Sequence, residues 1–157
     1  TGAAWPEPGG PSFLPVVTPM DHVAHLYYTS GTTGAPKGVM LTHRNVWVHA
    51  LAAIAELELR ETDVWGHIAP MFHLADAWAT FAITWVGGRH LMVPRFEPGE
   101  VLATLERENV TITNLVPTML NLMVKEPCGC FFTQQDSYSL FSGRAGAGTR
   151  GVVIRSY

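Results

Sequence analysis

The residues with the clearest chemical potential lie between Tyr28 and Gly38, in the run Tyr28-Thr29-Ser30-Gly31-Thr32-Thr33-Gly34-Ala35-Pro36-Lys37-Gly38. Glycines let a backbone turn sharply and approach an anion, the hydroxyls of Thr29, Ser30, Thr32 and Thr33 offer donors, and Lys37 adds a compact positive charge. A phosphate group satisfies all three requirements. The run is not a P-loop, because Pro36 precedes Lys37 where that pattern needs glycine. The alternative is a Gly/Thr hairpin turn with a solvated lysine. A second candidate is His73, which closes Pro70-Met71-Phe72-His73, although an isolated histidine also suits a core or surface position. Asp76 is the only charge between Leu74 and Val86; it either favours the positive end of a helix starting there or offers a carboxylate to a polar or cationic ligand. No structural metal is expected: His22 and His25 fall on a loop running into a strand, and Cys128 and Cys130 form a lone C-x-C.

These residues need a scaffold, and the periodicities describe one. His25 to Tyr28 reads as a strand, and Thr42 to Leu57 as a helix with apolar residues recurring at three and four. A strand is expected over Val64 to Ala69, a nearly all-apolar helix over Leu74 to Val86, and a strand over Leu91 to Val93. An amphipathic helix over Pro98 to Glu108, a strand over Thr111 to Val116 and a helix over Pro117 to Val124 complete the series. Strand and helix alternate, which predicts an α/β fold, a mostly parallel sheet with helices packed on it. Residues 1–21 form a Pro/Gly-rich linker or entry loop, with five prolines before position 20.

The chain has 157 residues and a net charge of -3, enough for one domain, and its charged fraction of 15% is low against the roughly 25% usual in soluble domains. A mildly acidic chain without a Lys/Arg cluster is a poor partner for nucleic acid. Its longest uncharged apolar run, Ala77 to Gly88, is too short for a membrane span, and two close cysteines point to a reducing cytoplasm. Residues 1–124 carry net -5 and residues 125–157 net +2. The last segment, 125–157, has no sustained period of 2 or 3.6; it is an atypical tail, either natural, disordered or the product of a frameshift.

The Tyr28–Gly38 run resembles the phosphate-binding signature of the adenylate-forming, AMP-binding superfamily, which includes the acyl-CoA synthetases. The resemblance continues through Val39-Met40-Leu41-Thr42-His43-Arg44-Asn45, Pro70-Met71-Phe72-His73, Val93-Pro94-Arg95-Phe96 and Val116-Pro117-Thr118, so residues 22–124 look like part of the family's large N-terminal domain. It implies an acid–thiol ligase that uses ATP and magnesium to convert a fatty or aryl carboxylic acid into an acyl-adenylate, then transfers the acyl group to coenzyme A. By the same resemblance Thr29, Ser30, Gly31, Thr32, Thr33, Gly34 and Lys37 contact the nucleotide, and Arg95 lies near coenzyme A phosphates. His73 sits beside the reacting carboxylate, with Ala75 and Asp76 as further substrate-pocket candidates. Asp76 departs from the family, which usually has glycine there. Lys37 and His73 are the residues implied in catalysis.

The family's magnesium-binding glutamate stretch, its ribose aspartate and its C-terminal lid have no counterpart in this sequence, so the expected behaviour of the chain alone is negligible adenylation. The alternatives are a non-catalytic nucleotide or pyrophosphate-binding module and a structural interaction fragment. A partial domain would leave apolar surface exposed and open to self-association.

Overall fold

The computed structural model describes residues 16–29 and 34–126, together with the backbone of 138–145 and 149–156. Ser30, Gly31, Thr32 and Thr33, the first fifteen residues of the proposed linker, and Cys128 and Cys130 lie outside the described residues. The chain opens with an antiparallel hairpin, β1 (Val23–Thr29) and β2 (Lys37–Thr42), whose register ends at the pair Thr29 and Lys37. The sequence reading ran from the glycine-rich loop straight to a helix and missed β2. Its six residues have no clean alternation, and all but the last two are exposed.

Thr42 ends β2 and caps α1 (His43–Leu57). Its Oγ1 accepts from the Asn45 N–H at 3.2 Å while Asn45 Oδ1 accepts from the Thr42 N–H at 2.9 Å, a reciprocal pair that satisfies free donors at the helix start. The helix stops at Glu58, whose φ of 49° is left-handed.

The main sheet then assembles from β3 (Val64–His67), β4 (Arg89–Met92) and β5 (Ile112–Leu115), with β3 central and both neighbours parallel to it. The α/β expectation therefore describes the fold, and the parallel arrangement requires a crossover between successive strands. The first crossover carries α2 (Leu74–Ala77) and α3 (Ala79–Val86), and the second carries α4 (Pro98–Arg107). Helix α5 (Pro117–Val124) follows β5. Trp65 and Ile112 pack with Ala79, Ala82, Ile83 and Ala50 on one face of the sheet. Val101, Leu105, Leu115 and Met123 close the other.

Leu74–Val86 is not one helix. A continuous helix would use the Ala75 carbonyl as the acceptor for the Ala79 N–H. Instead that carbonyl accepts from Trp78 Nε1 at 2.8 Å and from Asn114 Nδ2, and the ladder is interrupted at Trp78. Side-chain donors have displaced a backbone one.

Two further strands, β6 (Tyr138–Ala145) and β7 (Thr149–Ser156), extend the sheet, giving the order β4-β3-β5-β7-β6 with β7 antiparallel to β5. The sequence reading assigned no fold to this segment. Among the described residues no helix is long and apolar enough to cross a membrane.

Candidate functional site

Parallel strands deliver their following loops to one edge of a sheet, and that edge collects three of the noted motifs. Pro70-Met71-Phe72-His73 follows β3, Val93-Pro94-Arg95-Phe96 follows β4, and Val116-Pro117-Thr118 follows β5. Crevices beyond the carboxyl ends of the strands are where open α/β sheets bind ligands. His73 and Arg95 are both exposed there. The glycine-rich run lies on the hairpin: positions 30–36 connect β1 to β2, and Thr29 and Lys37 pair at its base. Thr29 Oγ1 lies 3.5 Å from the Lys37 carbonyl, and Gly34 has φ of 93°, a left-handed conformation that suits glycine. A Cβ built on Gly34 meets nothing within 4 Å among the described residues. The hairpin alternative and the phosphate-loop alternative are thus compatible: the loop is a hairpin loop, and Lys37 starts its second strand.

The hairpin is held on the helical layer by His25, whose ring lies 5.1 Å from that of Phe81 on α3, and by the His43 N–H donating to the His22 carbonyl at 3.0 Å. Among the described residues no hydrogen bond, ion pair or ring contact joins Lys37 to His73 or Arg95.

Asp76 is placed differently from the other candidates. It is 0% exposed, with Oδ1 accepting from Trp65 Nε1 at 3.1 Å and Oδ2 lying 2.7 Å from His67 Nδ1. It occupies the first turn of α2, and its carboxylate faces β3. Ala75, half-buried, contributes its carbonyl to the Trp78 and Asn114 donors. The polar chain continues past His67, whose Nε2 lies 2.9 Å from His90 Nδ1, while His90 Nε2 lies 3.0 Å from Thr84 Oγ1. Trp65 Nε1 can only donate. With Asp76 ionised and both imidazoles neutral, all donors then point one way: Thr84 O–H to His90, His90 Nδ1–H to His67, and His67 Nδ1–H to Asp76. Burial, followed by the neighbouring His67, lowers the His90 pKa below its ordinary value, with Asp76 acting weakly in the opposite direction.

Trp65, His67, His90 and Asn114 were absent from the sequence reading of the site. One signal existed. His67 and Asp76 are each a single ionisable residue inside an apolar segment, and buried polar groups need partners. Asn114 Oδ1 is buried without a partner among the described residues. Among those residues no cluster of three His, Cys, Asp or Glu side chains could hold a metal ion.

Comparison with known proteins supplies the family and the fold. The chain is 37% identical over 111 residues to a 2-succinylbenzoate–CoA ligase of Bacillus licheniformis, an alignment covering 71% of this chain and 23% of that enzyme. The chain thus spans about a quarter of the length of the curated relatives it matches. Its fold superposes on the O-succinylbenzoate coenzyme A synthetase of Bacillus subtilis in complex with ATP and magnesium ion, with a TM-score of 0.65, 37% identity, and coverage of 69% of this chain and 23% of the other. The inhibitor-bound N-terminal domain of FACL13 from Mycobacterium tuberculosis gives a TM-score of 0.68 at 32% identity, covering 74% of this chain and 29% of that domain. The family described as AMP-binding enzyme matches residues 3–149, nearly the whole sequence, and the chain belongs to it.

Proposed function

We propose that this chain is the phosphate-loop and acid-pocket portion of an ATP-dependent, AMP-forming acid–CoA ligase acting on an aryl or fatty carboxylic acid. The observation that carries the reading is the convergence of the loops bearing His73, Arg95 and Val116–Thr118 at the carboxyl edge of the parallel sheet, together with a hairpin, packed on α3 through His25 and Phe81, whose connecting residues match the phosphate signature in sequence. The names of the relatives, succinylbenzoate–CoA ligases, favour an aryl acid and weigh against a non-catalytic binding module or a structural fragment.

ATP supplies the electrophilic α-phosphorus and the pyrophosphate leaving group. Attack by the substrate carboxylate pushes negative charge onto that leaving group, and Lys37 with the donors of Thr29 to Gly34 would stabilise it. The left-handed Gly34 and the exposed Lys37 suit a polyphosphate tail. Magnesium accompanies ATP in the Bacillus subtilis relative, and among the described residues of this chain no group of three His, Cys, Asp or Glu side chains could hold a metal ion. His73 orients the reacting acid from the turn after β3. Arg95 would take a phosphate of coenzyme A, whose thiol then displaces AMP from the acyl carbonyl.

Two measurements test the reading. ATP should raise the thermal unfolding midpoint of the chain, and Lys37→Ala should abolish the increase. An ATP-independent midpoint would overturn the phosphate-loop assignment. ATP–pyrophosphate exchange with a panel of aryl and fatty acids should be negligible for the 157 residues alone, because orientation and closure supplied by the rest of a ligase are missing. Exchange well above a Lys37→Ala control would show instead that this portion suffices.

A further inference from the structure

We propose that Asp76 and Asn114 are positioning residues for His73: they fasten the α2 turn to β3 and β5 and so fix where the histidine stands on the carboxyl edge. The inference rests on the reading of His73 as the histidine beside the reacting acid. His73 precedes α2 as its N-cap residue, makes no side-chain cap bond, and has the exposed Phe72 as its ring neighbour at 4.5 Å. Its location is therefore set by the backbone of residues 70–76. That backbone has little order of its own, since a helix of four residues lies far below the length at which helices are self-sustaining.

Four side-chain bonds supply the order. Trp65 Nε1 and the His67 ring grip the two oxygens of Asp76 at 3.1 and 2.7 Å. Asn114 Nδ2 and Trp78 Nε1 both donate to the Ala75 carbonyl. The chain leaves β3 at His67, passes through His73, and returns at Asp76 to the same His67 side chain, so the loop carrying the histidine is closed by a buried polar contact. Asn114 ties the same turn to β5. The Asp76 attachment is buried, where breaking it strands the Trp65 and His67 donors without water, whereas the Ala75 carbonyl held by Asn114 keeps Trp78 as a second donor. Asp76 thus acts on the acid pocket through the turn it holds; its own carboxylate is fully engaged.

The test uses the 157-residue chain in four forms: parent, Asp76→Asn, Asp76→Leu and Asn114→Ala. Asparagine retains an acceptor for Trp65 and a polar partner for His67, whereas leucine retains neither. Asn114→Ala removes one clamp while Trp78 still satisfies the Ala75 carbonyl, so this variant remains folded and keeps the test open if Asp76→Leu unfolds. The first readout needs no ligand: the nuclear Overhauser contact between the Phe72 and His73 rings should persist in the parent and Asp76→Asn, and fade in Asp76→Leu and Asn114→Ala. The second is affinity for a sulfamoyl-adenosine analogue of succinylbenzoyl-adenylate, with ATP as the reference. Asp76→Leu and Asn114→Ala should weaken analogue binding by about tenfold, as His73→Ala does, while Asp76→Asn stays within about twofold and ATP affinity is unchanged in all. Combining His73→Ala with Asn114→Ala should cost no more than His73→Ala alone. An unchanged ring contact in both clamp variants, or additive losses, would overturn the positioning role. Absence of analogue binding in a parent whose ring contact is intact would instead overturn the acid-pocket reading of His73 and leave the clamp standing.

Discussion

Replacing Asp76 by asparagine and by leucine should have very different costs, and the difference follows from the direction of the buried hydrogen bonds. Leucine leaves two donors, Trp65 Nε1–H and His67 Nδ1–H, facing an apolar side chain, at about 1–3 kcal/mol for each stranded group, so a loss of about 2–6 kcal/mol is expected. Asparagine permits a rearrangement. Its Oδ1 accepts from Trp65 and its Nδ2–H donates to His67 Nδ1; His67 then carries its proton on Nε2 and donates to His90 Nδ1, and His90 Nε2–H donates to Thr84 Oγ1. Every group remains paired and the whole chain reverses. What is lost is the strength of charge-assisted bonds relative to neutral ones, about 1 kcal/mol per bond, offset by no longer burying an ionised carboxylate. The net cost of Asp76→Asn should be about 1 kcal/mol or less. At about 2–4 °C per kcal/mol for a chain of this size, Asp76→Leu should lower the unfolding midpoint by on the order of 10 °C and Asp76→Asn by no more than about 4 °C. Thermal unfolding followed by circular dichroism measures the midpoints, and long-range proton–nitrogen correlation spectra of the imidazoles report the tautomers. Equal losses in the two variants, or a His67 that keeps its proton on Nδ1 in Asp76→Asn, would refute the reversal.

Other consequences are simpler. His49 and His90 both have pKa values lowered from 6.5 by burial, so the unfolded chain binds protons that the folded chain does not; stability should decline as the pH falls below about 6.5, and denaturant titrations giving equal stability at pH 7 and pH 5.5 would contradict this. Glu108, held below the usual carboxylate range first by a hydrogen bond from Arg107 and then by one from Arg89, contributes in the same direction at lower pH, and Glu108→Gln should flatten the curve below about 4.5. Gly88→Ala would place a Cβ 2.9 Å from the Asp63 carbonyl oxygen and 3.1 Å from Ile83 Cγ2, so it should cost about 1–3 kcal/mol by calorimetry; a neutral substitution would mean that the turn before β4 is looser than its contacts imply.

Much of this molecule was legible in its sequence because the parallel strands and their crossover helices leave strong periodic traces. Val46, Ala50, Ile54 and Leu57 mark one side of α1, and Pro98 and Pro117 announce the starts of α4 and α5. What escaped notice depends on partners distant along the chain. The interruption at Trp78 involves two donors on the Ala75 carbonyl, and one of them, Asn114, lies 39 positions away, so no periodicity of residues 74–86 encodes that competition. The clamp on Asp76 is of the same kind: the residue itself drew attention as a departure from the family, but Trp65 and His67 became its partners only when β3 passed beneath α2. The chemistry proposed for residues 28–38 could be read for the opposite reason, since the glycines, hydroxyls and lysine are contiguous.

The two halves of the proposed site meet through α3. At its start, the turn pinned by Asp76 and Asn114 presents His73; along its exposed side, Phe81 receives His25 from the hairpin that carries the phosphate loop, and Trp85 lies 6.5 Å from Trp47 on α1. The buried side, Ala79, Ala82 and Ile83, is small enough to let the helix lie close on Trp65 and Ile112. A helix with apolar residues on both sides therefore lies between the histidine and the hairpin that the proposed function assigns to the acid and to phosphate. That explains why so few charges occur between residues 74 and 88: a charge on either side of α3 would face the sheet or the hairpin. The one charge in that stretch, Asp76, lies on α2 just before α3, where Trp65 and His67 of β3 are both partners for it.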